Sequence, residues 1–376
     1  MSIRSKIRQW APVAGCMALV LMVGSPASAA DNSVVSISDA NPAAVAAYWT
    51  PERLRSAIPL PLKVETARPL SQGPGGPAIQ GPSTSSDGYV PTVQPKAAKS
   101  APFIDSSAAD IVVAPASRGS SGYPFSTSLV FPDNEVNYYP YRLAGKLFFK
   151  DAGVNYVCTA SVQRFRIVVT AAHCLYNTAA NHWNSNFLFI PAYNANLVTQ
   201  PYGQWTWSHA SLARGWVDGT ESFPNAYDFG FLQTNDQFIA GATRRIGAYL
   251  GYFGWQTYAL VGNHITQLGY PGNLDSGRRM TRNDAQVYSA GDGIAGEIGT
   301  AMWKGASGGP WVQDFGIVAP GQYITSTGAN RILGVSSYAS TSQPTPGPQY
   351  MGATVFNNAF ANVLTFICNL QAGNCS

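Results

Sequence analysis

Charge is scarce in this 376-residue chain: Asp, Glu, Lys and Arg make up 11% of it, against 45% hydrophobic residues. The formal net charge of +4 includes Arg4, Lys6 and Arg8, and residues 1–29 hold no acid, so the remainder is almost neutral. A chain so weakly charged is not built to bind nucleic acid electrostatically. Histidine occurs four times, and no cluster of His, Asp or Glu has metal-ligand spacing. That argues against a metal-dependent hydrolase, and neither a metal nor a cofactor is expected. No internal repeat of roughly 20–50 residues is visible, which disfavours a solenoid or propeller. Beyond the N-terminus no run of about 18 apolar residues occurs, so no stable membrane association is expected.

The apolar residues that are present fall into a leader and a long series of short runs. Arg4, Lys6 and Arg8 precede an apolar stretch at 11–23, and small residues follow at 26–30. This pattern reads as a signal peptide over 1–29 and implies an exported, soluble mature protein. Val13-Ala14-Gly15-Cys16 resembles a lipoprotein box, but most of the apolar stretch follows Cys16, which disfavours lipidation. Without Cys16 four of the five cysteines remain. Four cysteines in an exported protein suggest two disulfides and allow three pairings, of which the local one, Cys158 with Cys174 and Cys368 with Cys375, is expected.

Residues 30–120 read as a pro-region and linker, largely disordered. The stretch 68–102 is rich in Gly, Pro and Ser and lacks apolar periodicity, so burial cannot offset its ordering entropy. A short helix around Tyr48, Trp49 and Leu54 is expected before it, bounded by Pro51 and Pro59. From about residue 129 the texture changes. Runs at 143–149, 156–160, 166–170, 186–190, 229–232, 258–261, 265–268, 311–312 and 332–336 read as strands between turn residues, which predicts an all-β barrel or sandwich. Phe356, Phe360, Val363, Leu364 and Ile367 recur at helical spacing and predict a short C-terminal amphipathic helix.

Three segments carry chemistry. Gly305-Ala306-Ser307-Gly308-Gly309-Pro310 places a serine in a glycine-rich turn, where the hydroxyl is exposed and backbone N–H groups can gather around an oxyanion. A serine hydroxyl needs an adjacent base. Thr170-Ala171-Ala172-His173-Cys174 supplies one directly after the apolar run 167–169, unlike the exposed-looking His182, His209 and His264. The third partner must be a carboxylate that orients the imidazole. Asp228, at the mouth of the aromatic run 229–232, is the best candidate, since an ionised carboxylate there is costly unless paired. Asp218, Asp236, Asp275, Asp284 and Asp292 lie in turn-like contexts.

From about residue 139 to 367 the chain resembles the trypsin-like (chymotrypsin-fold) serine peptidases, in the chain order His, Asp, Ser. Segments 170–174 and 305–310 match that family's signature motifs, and Cys158 matches the usual disulfide partner of Cys174. Tyr139-Pro140-Tyr141-Arg142, Leu268-Gly269-Tyr270-Pro271-Gly272 and the final helix look more like the bacterial secreted branch that includes the glutamyl endopeptidases. The resemblance implies two packed antiparallel β-barrels, over 121–245 and 246–376, with the active site between them. It also implies a secreted, monomeric endopeptidase acting on proteins or peptides, with His173, Asp228 and Ser307 catalytic and the Gly305 and Ser307 amides forming the oxyanion hole.

The sequence departs from that pattern in places. Ala306 replaces the Asp that pairs with a newly cut N-terminus in digestive peptidases. The specificity pocket would be formed by Ala301, Ser336, Ser337, Tyr338 and Ala339. Ala301 stands where trypsin has Asp, and Ser336 where glutamyl endopeptidases have a histidine. Ala339 replaces a usual glycine. Small or medium uncharged substrate side chains are therefore expected. An esterase with the same G-x-S-x-G pattern needs a histidine after the serine, and none follows Ser307. The alternative of a different class is an inactive binding protein, an adhesin or decoy, on a peptidase scaffold.

Overall fold

Strands form where β-branched and aromatic residues run between turn formers. Ile167–Thr170 is such a run, and all four residues are buried. The computed structural model describes residues 32–65, 81–95, 123–196, 200–219, 223–291, 293–316, 329–340 and 350–376; the expected signal peptide lies outside them.

Six strands close on themselves. Ala144–Asp151, Val154–Val162, Ile167–Thr170, Gly230–Thr234, Trp205–Ala213 and Ser185–Pro191 pair successively, and the last returns to the first. Ala152 and Gly153, both with positive φ, form the tight turn of the first hairpin, the backbone handedness that matches strand twist. Leu147, Val162, Val168, Phe187, Phe189, Leu212 and Leu232 share one face of the sheet and fill the interior.

The second sheet curls into a half-barrel. Its main path runs Ala295–Gly299, Tyr350–Val355, Arg331–Ser340, Pro310–Gln313, His264–Gly269, Thr281–Gln286 and Phe125–Leu129. The last of these lies inside the segment expected to form the first barrel, yet it pairs with Thr281–Gln286. The C-terminal helix Asn358–Asn369 makes the converse crossing. Asn357 caps it by accepting from the N–H groups of Ala359 and Phe360, and Phe360 packs on Phe229 and Phe231 of the first barrel. Phe360, Val363, Leu364 and Ile367 are buried, as their spacing predicts. The fold is therefore mostly β, with a closed barrel, a curled half-barrel and one short terminal helix. The strand expected at 258–261 is absent: Tyr258 has a φ of 55°, which breaks the extended run.

Part of the stretch expected to lack structure is ordered. Ser33–Ile37 pairs with Trp205–Ala213. Two short helices follow instead of one, Pro42–Tyr48 and Pro51–Ser56, each opening on a proline after an Asn or Thr cap, where a missing N–H costs nothing. Trp49 is buried and donates to the Asn186 carbonyl at 2.7 Å. Inside the expected linker, Ser85–Ser86 pairs with Gly254–Gln256, and Tyr89 exchanges backbone hydrogen bonds with Tyr252 while stacking on its ring. These segments order because barrel edges satisfy their backbone groups, a tertiary effect that local composition does not register. The remainder of 66–122 outside 81–95 lies beyond the described residues, apart from the short tie to the second sheet at Lys63–Glu65 that precedes it.

Candidate active site

The two sheets meet along a seam, and each of the three chemical segments reaches it from a different element. The buried strand Ile167–Thr170 runs into the turn Ala172–Cys174. Cys174 is bonded to Cys158 on the neighbouring strand, which pins the turn. Cys368 is bonded to Cys375, so the local pairing holds in full. Closing a loop of the first size stabilises by about 3 kcal/mol in the chain-entropy model.

Asp228 precedes the strand Gly230–Thr234 and is completely buried. Its Oδ1 accepts the His173 backbone N–H at 3.0 Å, and its Oδ2 lies 2.8 Å from His173 Nδ1. Ser337 Oγ donates to the same Oδ2 at 2.5 Å. Three donors around one carboxylate offset the cost of burying its charge. The pairing also settles His173's orientation. With Nδ1–H directed at the carboxylate, the neutral imidazole carries its lone pair on Nε2.

Ser307 sits in a loop held from both sheets. Thr159, on the first barrel, takes its N–H to the Ser307 carbonyl at 2.8 Å and its Oγ1 to the Gly305 carbonyl at 2.9 Å. The N–H groups of Ala306, Gly308 and Gly309 are bonded to Trp303, Ser336 and Ala306 carbonyls. Among the described residues, by contrast, no acceptor takes the N–H of Gly305 or Ser307. Gly305 has a φ of 94°, a backbone that favours glycine. A Cβ on Gly308 would lie 2.0 Å from Thr170 Oγ1 and 2.4 Å from the Thr159 carbonyl. Ser307 Oγ and His173 Nε2 are both buried, and neither bonds the other or any other described group. Such contacts commonly tighten only when substrate binds.

Of the residues expected to line a specificity pocket, Ala301 and Ala339 come together, while the side chains of Ser336, Ser337 and Tyr338 are engaged elsewhere. Ser336 Oγ points into the sheet core, where it accepts from Gln267 Nε2 at 2.9 Å and Trp311 Nε1 at 3.0 Å. Ser337 turns toward Asp228. Tyr338 is fully buried, donates to Glu297 Oε1 at 2.9 Å, and lies against Gly352, where any Cβ would meet its ring at 2.0 Å. Ala339 joins Met302, Trp303, Ala306 and Met351 in one buried apolar cluster, with Ala301 packed against it. Met302, Trp303 and Met351 were not singled out by sequence, although the first two sit just before the serine turn. No signal marks Met351, 44 residues after Ser307.

Cys158, His173 and Cys174 are the one group of three metal-ligand types gathered among the described residues. Their sulfurs are joined in a disulfide and offer no thiolate, so the set does not fit a metal.

No protein-family model matches the chain. The glutamyl endopeptidase of Bacillus licheniformis is 26% identical over 159 residues, 40% of this chain and 46% of that protein. The extracellular metalloprotease of Bacillus subtilis is 28% identical over 135 residues, 35% of this chain and 40% of that protein. The chain thus spans less than half the length of these curated relatives. Similar solved structures include the protease Anisep from Arthrobacter nicotinovorans, at 23% identity and a TM-score of 0.48 over 60% of this chain and 94% of that one. A Glu endopeptidase in complex with MPD matches at 19% identity and a TM-score of 0.48, over 64% of this chain and 95% of that one. The chain is thus similar in sequence to a glutamyl endopeptidase over 159 residues, and its own fold is a closed barrel packed with a curled half-barrel.

Proposed function

We propose that this protein is a secreted serine endopeptidase that cleaves peptide bonds through an acyl-enzyme, with Ser307, His173 and Asp228 as its catalytic residues. The observation that carries the reading is the buried Asp228 carboxylate, bonded to both the backbone and Nδ1 of His173. It leaves Nε2 as the proton acceptor. His173 Nε2 takes the Ser307 proton as Oγ attacks the substrate carbonyl, and the N–H groups of Gly305 and Ser307 receive the oxyanion. Nε2 then gives its proton to the leaving amine, and water repeats the sequence to free the acyl group. Secretion is supported by the leader pattern and by the extracellular relative.

The apolar cluster of Met302, Trp303, Ala339 and Met351 contains no charge, and Ser336 is committed to Gln267 and Trp311. Cleavage is accordingly assigned to positions after uncharged, small or medium side chains, unlike the preference in the name of the B. licheniformis relative. A peptide-library digest dominated by cuts after Glu, Arg or Lys would overturn that assignment.

A fluorophosphonate probe should label the processed protein, and Ser307→Ala should remove the label. His173→Ala should lower peptide turnover on the order of 10⁴-fold. Near-normal turnover in His173→Ala, or labelling that survives in Ser307→Ala, would defeat the reading.

A further inference from the structure

A nucleophile has to meet its substrate, yet Ser307 has 0% and His173 4% relative exposure. The chain's own residues 58–65 run between the two sheets that carry them. Ile58 and Pro59 pair with Tyr156 and Val157 on the first barrel, and the Leu60 N–H donates to the Val157 carbonyl at 3.1 Å. Five residues after Ile58, Lys63–Glu65 pairs with Tyr338, Ala339 and Ser340 on the second sheet. The segment therefore bridges the seam from just before Cys158, whose partner Cys174 follows His173, to just after Ser337. At its first anchored end Pro59 packs at the serine loop: a Cβ on Gly305 would be 3.4 Å from Pro59 Cβ. Leu62 is 4% exposed and belongs to the apolar cluster of Met302, Trp303, Ala306, Ala339 and Met351.

Direction matters more than position. In the chemistry proposed above, on which this inference rests, the acyl half of a substrate stays on Ser307, carried by the second sheet. The leaving amine must reach His173, carried by the first barrel. A productive substrate therefore runs, N to C, from the 338–340 edge to the 156–157 edge. Residues 58–65 run the opposite way, parallel to both strands. Pro59 and Pro61 add resistance, since each fixes φ and lacks the N–H that an ordinary scissile position presents. They also hold the segment extended before it docks, which lowers the entropy cost of binding.

We infer that residues 58–65 are an intramolecular inhibitor, a reversed strand across the substrate site with Leu62 in the apolar cluster beside the serine loop. The cluster that holds Leu62 is then also the place for a substrate's apolar side chain. Disrupting the anchor should open the site without touching the catalytic residues.

The test compares the full chain with Leu62→Asp and the milder Leu62→Ala, each checked for folding by near-ultraviolet circular dichroism. Fluorophosphonate labelling should be at least tenfold faster in Leu62→Asp than in the unaltered chain, with Leu62→Ala between them. A synthetic peptide of residues 57–66 should slow labelling of Leu62→Asp and remain uncut by mass spectrometry. A fluorescent form of that peptide should bind the Leu62→Asp, Ser307→Ala double variant by anisotropy, a readout independent of catalysis. Equal labelling rates in all three chains, rapid cleavage of the peptide, or no binding to the double variant would each overturn the inference. Binding without labelling in any chain would instead sink the peptidase reading and leave the docked strand standing.

Discussion

At the scale of single residues, Asp228 shows how much geometry one buried charge can impose. A carboxylate with no solvent must collect donors, and here it takes two from His173 and one from Ser337. The His173 contacts follow from local sequence, because a histidine after a buried strand and an aspartate before one invite pairing. Ser337 does not: it lies 109 residues from Asp228, one serine among many. On the proposed mechanism the two contacts carry unequal weight. Asp228→Asn should lower kcat on the order of 10⁴-fold by disturbing the imidazole tautomer. Ser337→Ala removes one donor to a charged acceptor, worth roughly 1.5–3 kcal/mol. It should lower kcat about ten- to hundredfold and leave KM unchanged, because Ser337 acts through Asp228. A rise in KM at constant kcat would instead make Ser337 a substrate contact.

At the scale of elements, legibility followed the apolar signal. Ile167–Thr170 and the terminal helix announce themselves because their buried faces are continuous in the sequence. Thr281–Gln286 does not, since its inward residues are Thr281, Asn283 and Ala285, and Asn283 is satisfied by donating to the Gly299 carbonyl and accepting from Thr127. Ser33–Ile37, Ile58–Pro59 and Lys63–Glu65 stay hidden for another reason: each borrows its partner strand from a barrel more than ninety residues away. The terminal helix gives the sharpest energetic test. Phe360 is fully buried, stacks on Phe356 at 3.7 Å, and touches Phe229, Phe231 and Trp255. Phe360→Ala should destabilise the fold by about 3–5 kcal/mol, the usual loss for a large buried aromatic. Urea unfolding followed by tryptophan fluorescence would show it, and a loss below about 1 kcal/mol would mean that the helix is not integral to the first barrel.

At the scale of the whole molecule, the two sheets are joined by crossings of chain and by a buried cation. Lys146 lies on the barrel strand Ala144–Asp151, and its Nζ donates to the Gly277 carbonyl, in the loop after His264–Gly269, at 2.8 Å. The Phe148 and Tyr193 rings lie 5.4 and 5.0 Å from it. No carboxylate pairs with it among the described residues, and burial pushes its pKa down from 10.5 to about 8. A base whose folded pKa is depressed is destabilising while protonated in the fold. Below pH 8 that cost is fully present. Between pH 8 and 10.5 the unfolded chain holds more protons than the folded one, so stability rises with pH. Higher still the sign reverses, because burial raises the Tyr202 pKa to about 12 and that of Tyr270 well above 10. The unfolded chain then loses tyrosine protons first. Stability should therefore pass through a maximum near pH 10, set by burial at the junction of the two sheets. The depression corresponds to about 3 kcal/mol at pH 7. Lys146→Met should recover part of that at pH 7 and flatten the rise between pH 8 and 10, while leaving the loss above pH 10 in place. Urea midpoints measured across this range in both proteins decide it. An unchanged rise in Lys146→Met would show that the cation at the seam is not its source.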